Sequence, residues 1–409
     1  MALGQSVYGQ VVGATLSGTV ADSSGAVIPG AQITIKNNAT NVTRVVVSDK
    51  SGFYTAPNLA AGSYDVSSSA AGFPTLVRKD ITLTVGGAQV LDITLQVGQV
   101  TQTVQVTGGA PTVQLASSTI SAEVNSTTMR QLPLNGRDWT QLATLQPGVT
   151  ASRTQASANA SANRGNRGFG NELTDDGHRP AENNYRVDGI NINDYINSAP
   201  GSVLGLNLGV DAIEEFSVLT DNYGAEYGRG SGAIINAITR SGTNEFHGDA
   251  YWFLRDEDFD ARNFFDPAHI PPFHRNDFGF SAGAPIVKNK TFIFGNFEGV
   301  RQSLSSTFKD IVPSQDARNG IIHNSDGTTT NIAVDPAVQP YLAFWPEPLP
   351  SNLIAPGNTG FVTLAGLSTA SENYATLKVD HHISDSDSLS GSYFFDRNPV
   401  DSPDALAAC

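Results

Sequence analysis

The sequence predicts a mainly β chain of several domains. Three observations point there. Val, Ile, Thr and Phe recur in short bursts between clusters of turn residues, the signature of strands joined by tight connections. Charged residues make up only 15% of the chain, while Gly, Ser, Thr and Asn are abundant. No run approaches the roughly 18 apolar residues of a membrane-spanning helix, whereas several stretches of about 10 residues alternate as barrel strands do. The length suits two to four domains.

Charge and cysteine usage exclude some function classes. The formal net charge of −15 argues against nucleic acid as a partner, because phosphate binding rests on Lys and Arg. Cys409 is the only cysteine, which removes disulfide scaffolds and CxxC metal sites. The start, "MALGQSVYGQ", lacks the charged and apolar regions of a secretory signal.

From Thr15 to Val97 the chain alternates β bursts with turns, at a spacing that predicts a small sandwich of about seven strands. In "AQITIK", Ile33 and Ile35 face one way, and Gln32, Thr34 and Lys36 the other. In "VLDITLQV", Leu91, Ile93, Leu95 and Val97 oppose Val90, Asp92, Thr94 and Gln96. Both read as half-buried strands. The segments "GAVIPGAQITI", "SDKSGFYTAPNLAAGSYDVSSSAAGF" and "ITLTVGGAQVLDITL" together resemble the carboxypeptidase regulatory-like domain, a transthyretin-like β-sandwich. That resemblance implies a non-catalytic accessory over residues 14–98. No HxxE-type zinc signature accompanies it.

Residues 99–111 read as a linker carrying one short strand. Thr103, Gln105 and Thr107 alternate with Val104 and Val106, and Gly108, Gly109 and Pro111 end the run. One reading is a further strand or plain linker. The other comes from resemblance: Thr103–Thr107 is similar to the TonB box of outer-membrane receptors. Such a segment would act by adding its strand to the edge of a partner's sheet.

Residues 112–243 begin with two helical patterns. Ser126 is the expected N-cap of "STTMRQLP", which Pro133 ends. "GRDWTQLATLQPG" places Trp139, Leu142 and Leu145 on one face and stops at Pro147 and Gly148. Strand-and-turn units follow. Gly228, Gly230 and Gly232 precede the β-branched "AIINAIT". "GRGSG" lacks both the GxGxxG spacing and the helix N-terminus that a phosphate loop needs. These glycines instead predict backbone in close approach to other backbone.

The segments "LPLNGRDWTQLATLQPGV", "YRVDGININD", "DAIEEFSVLTDNYGAEYGRGSGAIINAITRSGTNEFHG" and "DARNFFD" resemble the plug and first barrel strand of TonB-dependent receptors, in their Oar-like branch. The resemblance implies an α/β plug domain over residues 112–243. Within it, Gly228, Gly230 and Gly232 would be packed in the lumen, and Arg229 and Arg240, with Glu226, would face its polar wall.

Residues 244–409 are expected to supply the first strands of an incomplete outer-membrane β-barrel. Glu245–Arg255, Arg275–Pro285, Thr291–Arg301, Tyr374–Ile383 and Leu389–Arg397 have the length of spanning strands. In the second, Phe278, Phe280, Ala282 and Ala284 oppose Asp277, Gly279, Ser281 and Gly283, and in the fourth Ala375, Leu377 and Val379 oppose Thr376, Lys378 and Asp380, a lipid-out, water-in pattern; the third alternates poorly. Connections one and three are long and two and four short, as expected if the first strand rises from the periplasm. Five strands cannot close a barrel, so the sequence reads as part of a longer receptor whose signal peptide lies outside it.

Catalytic and metal signals are weak. His381 and His382 are adjacent on a strand and face opposite sides. Asp385 and Asp387 begin like a calcium loop but lack its glycine and terminal Glu. Asp256, Glu257, Asp258 and Asp260 read as a solvated loop, and no GxSxG elbow is present. No catalytic residue, metal or cofactor is therefore expected. Tyr341, Phe344 and Trp345, in the long third connection, are candidates to stack on a ligand or on one another. The resemblance implies TonB and its inner-membrane energising complex as partners, with outer-membrane lipid and a small solute: a siderophore, an oligosaccharide or a peptide. The alternative is a cell-surface adhesion or carbohydrate-binding β protein. A peptidase stands third.

Overall fold

A computed structural model describes residues 13–96, 104–106, 120–132, 134, 137, 139–152, 172–193, 209–224, 227–228, 230–261, 270, 272–385 and 387–401. The first region holds eight strands: β1 (Ala14–Asp22), β2 (Gln32–Asn37), β3 (Thr43–Val47), β4 (Phe53–Leu59), β5 (Gly62–Ser69), β6 (Leu76–Leu83), β7 (Ala88–Val90) and β8 (Ile93–Leu95). One sheet has the order β4-β1-β7, with β8 also on β1, and the other runs β3-β2-β5-β6. Period-two alternation builds the core between them. Leu16, Val20, Ile33, Ile35, Tyr54 and Ile93 point inward and are buried, while Thr94 on the opposite face is exposed. The eighth strand arises because Asp92 interrupts the last β burst. Its carboxylate accepts from the Thr19 N–H at 2.8 Å, and β7 and β8 pair separately with β1.

One further strand, β9 (Val104–Val106), joins the second sheet at its edge, parallel to β6.

The plug segment contains β10 (Ile120–Asn125), α1 (Ser126–Gln131), β11 (Val149–Ser152), β12 (Glu172–Asp175), β13 (Asn184–Val187), β14 (Ile190–Asn191), β15 (Ile213–Asp221) and β16 (Ile234–Thr239). Its main sheet has the order β10-β15-β16-β13-β14, with β13 and β16 parallel. β16 lies inside that sheet and is buried along its whole length, which explains why "AIINAIT" is β-branched without polar alternation.

Two helical expectations are corrected. Asn125, not Ser126, caps α1: its side chain accepts from the Thr128 N–H at 2.9 Å, and Ser126 is the first helical residue. Residues Trp139–Leu145 form a 3₁₀ helix, in which Trp139 and Leu142 are buried but Leu145 is 61% exposed. The apolar face therefore ends one turn early, next to the stop at Gly148.

The remaining chain forms one antiparallel sheet from β17 (His247–Asp256), β18 (Phe273–Val287), β19 (Thr291–Pro313), β23 (Thr359–His382) and β24 (Ser388–Arg397), in that order. Between β19 and β23 lie α2 (Gln315–Arg318), β20 (Ile321–His323), β21 (Thr329–Asn331), α3 (Gln339–Leu342) and β22 (Leu353–Ile354). A short β25 (Val400–Asp401) follows β24. β19 and β23 pair without a break from Thr291↔His381 to Pro313↔Thr359. The third connection is consequently shorter than expected, because its flanks continue the hairpin beyond the wall.

β19 also alternates, contrary to expectation: Phe292, Phe294, Asn296 and Glu298 are buried and Ile293 and Phe297 are not. The pattern was hidden because two phenylalanines face inward, toward the plug segment. On the opposite face Trp252, Leu254, Phe280, Leu377, Tyr393 and Phe395 are exposed and form an apolar band, the pattern expected of a barrel wall that faces lipid.

Candidate functional site

The plug segment is held to the inner face of this wall by charged groups that no short motif brings together. Lys378 Nζ on β23 lies 3.0 Å from the Thr239 carbonyl oxygen and 3.5 Å from Asp188 Oδ1. Asp188 also accepts from Ser392 Oγ of β24 at 2.7 Å and from Thr239 Oγ1 at 2.6 Å. Burial alone would raise the pKa of Asp188, but the Lys378 ammonium and these hydrogen bonds outweigh it, and the net shift is downward. Asp188 sits at positive φ at the turn after β13, a conformation short polar residues tolerate. That turn aims the carboxylate at the wall.

A second cluster centres on Arg137. It pairs with Asp211 of the plug segment, approaches Glu298 Oε2 of β19 at 3.9 Å and stacks 3.8 Å above the Tyr251 ring of β17. Tyr251 Oη donates to the same Glu298 oxygen at 2.5 Å. Apolar packing continues across the boundary, where Tyr374 of β23 belongs to the same buried cluster as Trp139, Tyr185 and Phe216, with Phe394 packed against it.

The glycine-rich stretch packs against the plug segment's own backbone at Glu182 and Asn183. A Cβ on Gly230 would run into the Glu182 carbonyl oxygen, and one on Gly232 into the Asn183 side chain. The Gly228 carbonyl accepts from Asn184 Nδ2 at 2.8 Å. Asn183, fully buried, donates to the Leu173 carbonyl at 2.6 Å and accepts from the Ala233 N–H at 2.9 Å. Arg240 pairs with Glu214 at 3.5 Å and lies 5.6 Å over Phe294 of the wall. Arg229 and Glu226 lie outside the described residues.

At the end of the wall carrying the short turns, the sandwich makes contact. Asn244 donates through its backbone N–H to the Ala39 carbonyl at 3.1 Å and through Nδ2 to the Thr40 carbonyl at 2.6 Å. Arg44 reaches the Asp385 carbonyl at 3.5 Å. Against the plug segment, Thr84 Oγ1 donates to Glu123 Oε1 at 2.7 Å and the Val85 N–H donates to Glu215. Burial pushes Glu215 up to about 7; the Val85 N–H opposes the shift, and Glu123 and Glu214 add to it.

Of the remaining candidates, Val104, Gln105 and Val106 form β9, while Thr103 and Thr107 lie outside the described residues. Tyr341 and Phe344 are exposed, 6.4 Å apart edge to face, and the Trp345 carbonyl accepts from Arg318 at 2.7 Å. The acidic loop is less free than the sequence implied. Asp256 pairs with His274 at 2.6 Å and Arg255 with Asp260 at 3.0 Å. Asp256, Glu257 and His274 are the group among the described residues that could hold a metal ion, their ligand atoms lying within 4.8 Å of one another.

Three family models match in chain order. A carboxypeptidase regulatory-like domain covers residues 15–96, a TonB-dependent receptor plug domain 112–234 and an outer membrane β-barrel domain 238–409. The chain thus carries a TonB-dependent receptor plug domain and an outer membrane β-barrel domain behind a carboxypeptidase regulatory-like domain. It is an outer-membrane protein, and the curated relative it matches is a transporter. The chain is similar to the TonB-dependent transporter Oar of Myxococcus xanthus, 26% identical over 303 residues, covering 69% of this chain and 26% of that protein. The chain thus spans about a quarter of its curated relative's length. Among solved structures, the siderophore receptor PirA from Acinetobacter baumannii is similar over 68% of this chain and 44% of its own, at 17% identity and TM-score 0.33. A putative carbohydrate binding protein from Bacteroides uniformis is similar over 20% of this chain and 40% of its own, at 20% identity and TM-score 0.18.

Proposed function

We propose that the receptor binds a scarce extracellular solute and admits it when TonB pulls on the plug. The observation that carries this reading is the polar seal between plug and wall. Lys378–Asp188 and Arg137–Glu298 are pairs between two separate bodies, and their members can exchange partners for water when one body moves. A plug meant never to move would be better served by apolar packing, since buried ion pairs add little net stability.

In this reading Thr103–Thr107 is the handle. Its backbone supplies the hydrogen bonds of an added strand, and its alternating valines set the register. The solute, a siderophore, oligosaccharide or peptide, is recognised on the side of the long connections, with Tyr341, Phe344 and Trp345 as candidate contacts. Energy arrives as mechanical work, and no bond of the solute is broken.

The test is Val104→Pro in the membrane-inserted receptor. Proline removes a backbone donor from the handle, so uptake of labelled solute is expected to cease while binding at the cell surface persists. Unchanged uptake refutes the assignment.

A further inference from the structure

The edge of the sandwich is already occupied by the segment that the proposed function assigns to TonB. β9 lies parallel to β6, with Leu76 opposite Val104, Val77 opposite Gln105 and Arg78 opposite Val106. The same sandwich is fastened to the receptor elsewhere. Thr84 and Val85, just beyond β6, donate to Glu123 and Glu215 of the plug. Ala39 and Thr40, between β2 and β3, accept from Asn244 where the plug leads into β17. The handle is therefore paired to a domain that is itself anchored at the mouth of the wall.

We propose that the sandwich edge is an intramolecular docking surface for the handle, and that TonB engages the receptor by stripping β9 from β6. This rests on the handle reading of Thr103–Thr107. The occupant is a named segment of the same chain, and the chemistry is strand addition at an open sheet edge. The grip suits displacement. Among the described residues it spans three, it is parallel, and parallel pairing is slightly weaker per residue than antiparallel. A partner that offers a longer edge wins the exchange. The anchors make the competition meaningful, because a tethered sandwich returns the handle at high effective concentration once TonB lets go. A pull on an undetached handle would load the sandwich and its contacts at Glu215 and Asn244 as well as the plug.

Two measurements on the membrane-inserted receptor test this, with the purified periplasmic domain of TonB as the probe. First, amide hydrogen exchange is followed at residues 76–78 with and without the probe. Stripping predicts that exchange at this edge accelerates when the probe binds. Edge amides that keep their protection while the probe is bound overturn the proposal, because TonB would then be using the free side of β9. Second, probe affinity is compared between the receptor and a variant lacking residues 13–96, its barrel checked for the heat-resistant mobility of folded material. If the handle is free about one-tenth of the time, removing the sandwich tightens binding about tenfold. Equal affinities overturn the docking proposal and leave the handle intact. A folded variant that captures no probe overturns the handle reading, and the docking proposal with it.

Discussion

Lys378 of the barrel wall and Asp188 of the plug form an ion pair at 3.5 Å, in which both side chains are largely withdrawn from solvent. The two residues are 190 positions apart, and their contact brings the β13 turn against β23. Lys378 is the one cation paired with Asp188 among the described residues, so removing it leaves a buried carboxylate with hydroxyl and amide partners only.

Lys378→Met is expected to destabilise the seated plug by about 3–5 kcal/mol, the cost of breaking one side of a buried pair. The readout is the plug's amide exchange at residues 184–191, which should accelerate while the wall strands keep their protection. The folded pKa of Asp188 is depressed. The pair's contribution is therefore present above the free value of 3.8 and is lost as the pH falls through the lower folded value. Lys378→Met should flatten that acid-side loss.

Glu215 behaves in the opposite sense. Burial under the sandwich lifts it to about 7, so the docked state favours the protonated carboxyl. Its contribution to docking is fully present below the free value of 4.5 and fades as the pH rises through about 7. Exchange at residues 84–86, corrected for intrinsic rates, should be slower at pH 5.5 than at pH 8. Glu215→Gln keeps an acceptor for the Val85 N–H and should remove the pH dependence. A pH response that survives in this variant would assign it to another group.

Much of the fold was legible in the sequence because period-two alternation records which face of a strand is buried. Ile33 and Ile35 in the sandwich, and Phe278 against Asp277 in the wall, could be sorted this way. The phase failed on β19, where Phe292 and Phe294 face a protein-filled lumen and not lipid, so hydrophobicity no longer told inside from outside. Parity put Lys378 on the inner face but could not name Asp188, because a contact 190 positions away leaves no local signal. Asn183 and Asn244 were missed for a related reason. Their work is to bond backbone groups, and an asparagine in a turn-rich stretch looks like ordinary loop chemistry.

Close backbone approach at Gly230 can be tested directly. Gly230→Val would drive a side chain into the Glu182 carbonyl oxygen. The expected result is a folded wall with a displaced plug, seen as increased permeability of the outer membrane to a large antibiotic. Asn183→Ala removes the group that joins the Leu173 carbonyl to the Ala233 N–H and should cost roughly 1–3 kcal/mol for each buried partner left unsatisfied. Normal permeability and plug protection in both variants would remove these residues from plug packing.

Phe280 and Phe259 are both exposed, yet the same substitution should affect them very differently. Phe280 stands on the outward face of β18, with its ring 6.0 Å from that of Phe297 and Ala250 opposite it on β17, two positions from Trp252. Phe259 lies in a one-turn 3₁₀ helix after β17, in the long connection beyond the wall. Arginine on the lipid face of a barrel costs about 2–4 kcal/mol at the bilayer midplane and little or nothing near the interface. Phe280→Arg should therefore lower the folded, heat-resistant fraction recovered from outer membranes, whereas Phe259→Arg should leave it unchanged. Equal tolerance at the two positions would mean that the apolar band of this sheet does not meet lipid.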